Sequence, residues 1–96
     1  LPERVYLLSP WLDLTLTSPS HKKQDHRDPF LGTYFLERDF AQHYLADQDR
    51  KNPLISPLFA DFTGLPPFYV QVGSKEVLLD DSREFARKAK LQGVDV

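Results

Sequence analysis

Two short apolar runs indicate where strands lie along the chain. Val5–Leu8 is a continuous apolar run closed by Ser9 and Pro10, and a run of this length without alternation is typical of a strand buried on both faces. Phe68–Val72 is rich in aromatic and β-branched residues and ends at a glycine, which predicts a second strand. We expect both to be core strands of a parallel sheet.

Two further segments have the periodicity of amphipathic helices. Thr33 could cap the first helix, which covers about residues 34–46. Leu36, Phe40 and Tyr44 recur every four residues and form its predicted apolar face.

The second helix is predicted over about residues 79–92, between a capping signal and a glycine. Asp81 and Glu84 have the spacing of a capping box, and Gly93 follows the last turn. A carboxylate at this place can satisfy free amides at the positive end of the helix dipole, so we interpret Asp81 as a cap.

The segments between these elements lack a regular pattern. Residues 11–26 are predicted to form a long surface loop, and prolines interrupt residues 52–67. The order of strand, helix, strand and helix is that of an α/β fold, and residues 94–96 resemble the start of another strand. We therefore predict that residues 1–96 are an internal segment of one domain, part of a doubly wound, mostly parallel sheet. Two strands and two helices leave apolar strand surface uncovered, so this incomplete domain is expected to fold only marginally alone.

Composition excludes several classes of function. The 12 Lys and Arg residues against 14 Asp and Glu residues give a net charge of -2, and the scattered basic residues argue against a nucleic-acid partner. The chain has no cysteine, which excludes disulfides and thiolate metal sites and is compatible with a cytoplasmic location. No apolar run approaches the roughly 18 residues needed to span a bilayer.

Carboxylates follow both predicted strands, at the sheet edge where catalytic groups of open α/β sheets lie. Asp13 follows the first strand, whereas Glu76, Asp80 and Asp81 follow the second. Asp81 is already interpreted as a helix cap. Glu76 lies inside the loop, and its position alone is compatible with either a catalytic acid or a solvated loop residue.

Several groups of residues occur in an order and at spacings that resemble those of a known family. The groups are Ser9-Pro10-Trp11-Leu12-Asp13-Leu14-Thr15, then Ser56-Pro57-Leu58-Phe59-Ala60-Asp61 with Gly64-Leu65-Pro66-Pro67, and finally Val72-Gly73-Ser74-Lys75-Glu76-Val77-Leu78-Leu79-Asp80-Asp81-Ser82. Together they resemble successive signatures of the hormone-sensitive-lipase-like esterases, which have an α/β-hydrolase fold. The resemblance covers nearly the whole chain and is weakest over residues 21–32.

The resemblance implies hydrolysis of carboxylic esters by a triad of serine, aspartate or glutamate, and histidine. Family members carry the acid in the loop after a late strand, where many have Asp-Pro-Leu. This places the triad acid at Glu76, but the chain has Glu76-Val77-Leu78 at that motif, so Asp80 stays an alternative. The implied partner is a small-molecule ester, with water as the second substrate, and no metal or organic cofactor is implied.

The other two triad groups are not recognisable in the chain. A nucleophile elbow has glycines two residues to either side of its serine, and the triad histidine of α/β-hydrolases follows the acid. No serine has such glycines, and Ser9, like the others, is interpreted as a turn or cap residue. His21, His26 and His43 all precede Glu76 and are interpreted as surface residues. Residues 1–96 alone are therefore expected to be inactive.

A metal site and a non-catalytic receptor are the two alternatives to a triad acid. A metal site within residues 21–28 is disfavoured, because a flexible polar loop lacks the fixed geometry that ligands need. Receptors of the gibberellin-receptor type use the same fold with an incomplete triad, so a non-catalytic small-molecule receptor is the alternative function. The fold alone does not decide between catalysis and binding.

Overall fold

The two strands are neighbours in one parallel sheet. A computed structural model describes residues 1–96, with β1 at Val5–Leu8 and β2 at Phe68–Gln71. Val5 lies opposite Phe68 in parallel register. On the other side of β2, the amide of Phe68 donates a hydrogen bond of 2.9 Å to the carbonyl of Asp95, so the end of the chain returns alongside this strand. The predicted α/β arrangement with parallel strands is confirmed.

The rest of the regular structure is helical, and one of the helices packs on this sheet. In chain order they are α1 at Pro19–Lys23, α2 at Thr33–Phe35, a π-helical segment at Leu36–Ala41, α3 at Gln42–Leu45, a single 3₁₀ turn at Pro57–Phe59 and α4 at Leu79–Leu91. α4 packs on the sheet, where the rings of Phe85 and Phe68 meet edge to face with centroids 5.0 Å apart. Its contacts form the main core together with Leu12 and Phe62.

The other face of the sheet is open. Tyr6, Leu8 and Tyr69 point to this side and are 63%, 70% and 52% exposed. Within residues 1–96, β1 is therefore covered on one face only, because no helix of this chain covers Tyr6 and Leu8, as expected for two strands with two helices. The uncovered apolar face fits a partial domain whose remaining layers are contributed by other residues.

The helical stretch over residues 33–45 differs from the predicted helix in its winding. Its middle is π-helical, so each turn there contains more residues than a turn of α-helix. The buried positions in the stretch are Leu36, Ala41 and Leu45, whereas Phe40 and Tyr44 are exposed. The predicted apolar face is therefore wrong beyond Leu36, because the wider turn shifts burial by one residue.

Residues 11–26 are not the surface loop that the sequence predicts. They contain α1, and their buried residues are Leu12, Asp13, Leu14, Ser18, Ser20, His21 and Gln24. The hydroxyl of Thr33 donates to the carbonyl of His21, which ties the start of α2 to α1. The N-cap of α2 is Gly32, so Thr33 is the first residue of this helix and the prediction of Thr33 as its cap is wrong.

The Asp81 carboxylate joins α4 to the segment that follows β1. The N-cap of α4 is Leu78, and Asp81 in the first turn is fully buried. Its Oδ2 accepts hydrogen bonds from the amides of Leu12 and Asp13 at 2.8 and 2.9 Å, and its Oδ1 accepts one from Nε2 of His21 at 2.8 Å. The interpretation of Asp81 as a helix cap is wrong, because its acceptors serve amides outside the helix.

His21 is also placed differently from the prediction, since it is fully buried and not at the surface. Burial alone lowers the pKa of a histidine, but the hydrogen bond and charge of Asp81, with the charge of Asp13, outweigh it. The pKa of His21 is therefore raised above its ordinary value of 6.5. An ionised carboxylate only accepts hydrogen bonds, so Nε2 carries the proton in this pair.

We predict that replacing His21 destabilises the intact protein most at acidic pH. Because the pKa of His21 is higher in the folded state, its stabilising contribution is complete below pH 6.5 and is lost as pH rises through the folded-state pKa. His21→Gln should lower the free energy of unfolding by about 3 kcal/mol near pH 6, since it leaves the Asp81 carboxylate short of a buried partner. Urea unfolding of both proteins near pH 6 and about pH 9 measures this. An equal difference at the two pH values would contradict the prediction.

Candidate active site

The parallel pairing of β1 and β2 brings the residues after both strands together. Ser9 follows β1, and Gly73 and Glu76 lie in the loop after β2. The hydroxyl of Ser9 donates to Oε2 of Glu76 at 3.0 Å, and the amide of Gly73 donates to the same oxygen. Oε1 of Glu76 accepts no hydrogen bond within the chain. The half-buried carboxylate is thus fixed through one oxygen and available through the other.

Gly73 allows the carboxylate to approach the backbone closely. A Cβ atom at this position would lie 2.8 Å from Oε2 of Glu76 and 3.3 Å from its Cγ. Such distances are shorter than packed carbon and oxygen atoms tolerate, so a larger residue would force the Glu76 side chain aside. The loop therefore accommodates Glu76 in this position because residue 73 has no side chain.

The peptide next to Glu76 is held from the side of α1. The hydroxyl of Ser20 donates to the carbonyl of Val77 at 2.7 Å, and the amide of Val77 donates to Oδ2 of Asp28 at 3.1 Å. Burial opposes ionisation of Asp28, but backbone hydrogen bonds from Leu31, Phe30 and Val77 outweigh it and lower the pKa of this carboxyl. The residue that follows Glu76 is therefore held through both its amide and its carbonyl.

Asp80 has a different set of partners. Its Oδ2 accepts the amide of Ser20 at 2.8 Å, and its own amide donates to the hydroxyl of Ser20 at 3.0 Å. Oδ1 lies 3.5 Å from a guanidinium nitrogen of Arg83. This reciprocal pair fastens α1 to the first turn of α4, so the Asp80 carboxylate is engaged in joining two helices.

The remaining candidates do not join this site. Asp13 is buried, and its Oδ1 accepts the amide and hydroxyl of Thr15. His21 is paired with Asp81, whereas His26 and His43 are exposed, and no histidine contacts Glu76 through a hydrogen bond. The site within this chain is therefore a positioned carboxylate without a nucleophile or a base.

The hydrogen bonds made by Ser9, Ser20 and Asp28 at this site, and the burial of His21, were not predicted from the sequence. The contact of Ser9 with Glu76 could have been inferred from two segments that end neighbouring parallel strands, since such ends meet at one sheet edge. No local signal marks Ser20, Asp28 or His21, because each acts on residues about 50 to 60 positions away.

Two general properties of the chain bear on its chemistry. Its side chains include no group of three or more His, Cys, Asp or Glu that could hold a metal ion. None of its helices combines the length and the hydropathy needed to cross a membrane.

Curated proteins of similar sequence are hydrolases. The chain is 47% identical over 97 residues to a protein named esterase from Acinetobacter venetianus and 44% identical over 96 residues to an acetyl-hydrolase from Streptomyces hygroscopicus. Both alignments cover 100% of this chain and 32% of the relative. The chain thus spans about a third of the length of the curated relatives that it matches.

Solved structures of similar fold are also lipase-like hydrolases. A hormone-sensitive lipase from a metagenome library superposes with a TM-score of 0.95 at 42% identity, over 100% of this chain and 32% of its own. A second homologue of hormone-sensitive lipase from a metagenome library gives 0.94 at 42% identity, over 100% of this chain and 33% of its own. A family model described as alpha/beta hydrolase fold matches residues 1–96. On this evidence the chain belongs to the α/β-hydrolase family, in its hormone-sensitive-lipase-like branch.

Proposed function

We propose that the intact protein hydrolyses small carboxylic esters with a serine, an acid and a histidine, and that Glu76 is the acid. The observation that carries the proposal is the Glu76 carboxylate, fixed through Oε2 at the carboxyl end of the sheet with Oε1 left to accept a hydrogen bond. The names of the relatives, an esterase and an acetyl-hydrolase, support the reaction class.

The geometry of Glu76 suits the task of a triad acid. The histidine of such a triad must keep one tautomer and become imidazolium when it accepts the proton of the serine. A carboxylate bonded to its second nitrogen provides both the orientation and the compensating charge. In this proposal Oε1 of Glu76 makes that bond, while Ser9 and Gly73 hold Oε2. The serine and histidine are assigned to parts of the protein outside residues 1–96.

Asp80 is the weaker candidate for the same role. Both of its oxygens have partners, since Oδ2 accepts the amide of Ser20 and Oδ1 faces Arg83. Turning the Asp80 carboxylate toward a histidine would break its hydrogen bond with the amide of Ser20 in α1. The loop position of Glu76 requires no such rearrangement.

We predict that Glu76→Gln lowers kcat by about 10⁴, the scale found when the acid of a serine protease triad is replaced by its amide. The amide keeps the shape of the side chain but removes the charge that stabilises imidazolium. Turnover of a nitrophenyl ester by the intact protein measures the effect, and thermal unfolding reports whether folding is preserved.

Asp80→Asn is the matched control for this substitution. It should lower stability by roughly 1 kcal/mol, by weakening one charged hydrogen bond, and leave kcat within a few-fold of the parent. If Asp80→Asn abolishes turnover while Glu76→Gln leaves it nearly unchanged, Asp80 is the acid and the proposal is wrong.

A second prediction concerns Gly73, whose backbone lies close to the Glu76 carboxylate. Gly73→Ala places a methyl group where Oε2 of Glu76 lies, so the carboxylate must move and the histidine loses its alignment. A displacement of about 1 Å can cost about 10²-fold in rate, and we expect a loss of kcat of that order with KM nearly unchanged. Steady-state kinetics of the intact protein provide the test.

Gly32→Ala is the control for the added methyl group. Its Cβ would make only an ordinary contact, 3.4 Å from Asp25, and kcat should not change. Full activity of Gly73→Ala would show that the position of the Glu76 carboxylate does not matter for turnover.

A further inference from the structure

We infer that Ser9 is a positioning residue for the triad acid, an inference that rests on the proposed function of Glu76. Its hydroxyl donates to Oε2 of Glu76 at 3.0 Å across 67 residues of sequence. In this inference Ser9 acts on the reaction through the carboxylate that its hydroxyl contacts.

The backbone at Ser9 is unfavourable for serine. Its φ is +48°, in the left-handed region that glycine adopts without steric cost and other residues adopt rarely. Pro10 restricts Ser9 further, because a residue before proline is favoured in extended conformations. The amide of Ser9 donates to the carbonyl of Gln71 at 2.8 Å, which fixes this turn at the end of the sheet.

Glycine would therefore satisfy the turn better than serine does. What serine adds is the hydroxyl, and within this chain the hydroxyl bonds to one group, the Glu76 carboxylate. A residue in a strained conformation persists when the surrounding structure requires it, and such residues gather at functional sites. The structure thus retains backbone strain at the residue that supplies a hydrogen bond to the proposed acid.

The hydroxyl limits the freedom of the glutamate side chain. Glutamate has one more rotatable bond than aspartate, so its carboxylate can occupy more orientations. Donors from Ser9 and Gly73 converge on Oε2 and fix both the position and the rotation of the carboxylate. Oε1 is then presented in one direction, where it can accept a hydrogen bond from an imidazole.

Ser9→Gly tests this role, because it removes the hydroxyl and relieves the backbone strain together. We expect kcat for a nitrophenyl ester to fall about tenfold in the intact protein, the scale of one hydrogen bond to a charged group, with KM nearly unchanged. The melting temperature should not fall. Unchanged kcat would overturn the inference.

Ala46→Gly controls for the backbone change. Ala46 has φ of +50°, close to that of Ser9, and lies at the end of α3, outside the site. This variant should relieve similar strain and keep the parental kcat. A tenfold loss in Ala46→Gly as well would assign the effect to the backbone and overturn the role of the hydroxyl.

A double-mutant cycle with Glu76→Gln shows whether Ser9 acts through the acid. If it does, Ser9→Gly lowers the residual kcat of Glu76→Gln less than twofold, because the carboxylate that it orients is already absent. An equal tenfold loss in both backgrounds means that Ser9 acts independently and contradicts the inference.

The cycle also separates the two proposals. Full activity of Glu76→Gln overturns the assignment of Glu76 as the triad acid, together with the inference that rests on it. Loss of activity in Glu76→Gln with parental kcat in Ser9→Gly overturns the role of Ser9 alone.

Discussion

The buried carboxylate of Asp81 is the interaction on which the arrangement of this chain depends. It accepts hydrogen bonds from the amides of Leu12 and Asp13 and from Nε2 of His21, and so joins α4 to residues that lie 60 to 69 positions earlier in the chain. A buried amide without an acceptor costs about 1–3 kcal/mol, so this one side chain decides whether the segment after β1 can pack on α4. The carboxylate is tolerated in the core because its two oxygens accept three hydrogen bonds.

The position of Glu76 depends on this packing of the chain after β1 against α4. The sheet places the ends of β1 and β2 side by side, and Asp81 then holds the chain after β1 against α4. Ser20 and Asp28 reach the peptide of Val77 from this secured segment, while Ser9 reaches the Glu76 carboxylate. A loop residue is thus positioned by a rigid scaffold, which is the usual way in which folds present catalytic groups.

The strands and α4 could be predicted from the sequence because their signals are local. An apolar run, or a helical pattern followed by Gly93, indicates its structure within a few residues. The π-helical turn could not be predicted, because it adds a single residue to the turn. The sequence has an apolar or aromatic residue at each position that either winding would bury. The contact of His21 with Asp81 joins residues 60 positions apart, and no local pattern indicates such a pair. The contact of Ser9 with Glu76 spans 67 positions and could be inferred only from the pairing of the two strands that precede them.

The position of Glu76 was predicted from family resemblance and not from local chemistry, because a solvated loop glutamate has the same sequence signal. Its proposed role in orienting a histidine is tested most directly by a crystal structure of the intact protein. The account predicts that Oε1 of Glu76 lies about 2.6–3.2 Å from a ring nitrogen of a histidine located later in the chain. A structure in which that histidine is bonded to Asp80, with Oε1 of Glu76 facing solvent, would contradict it.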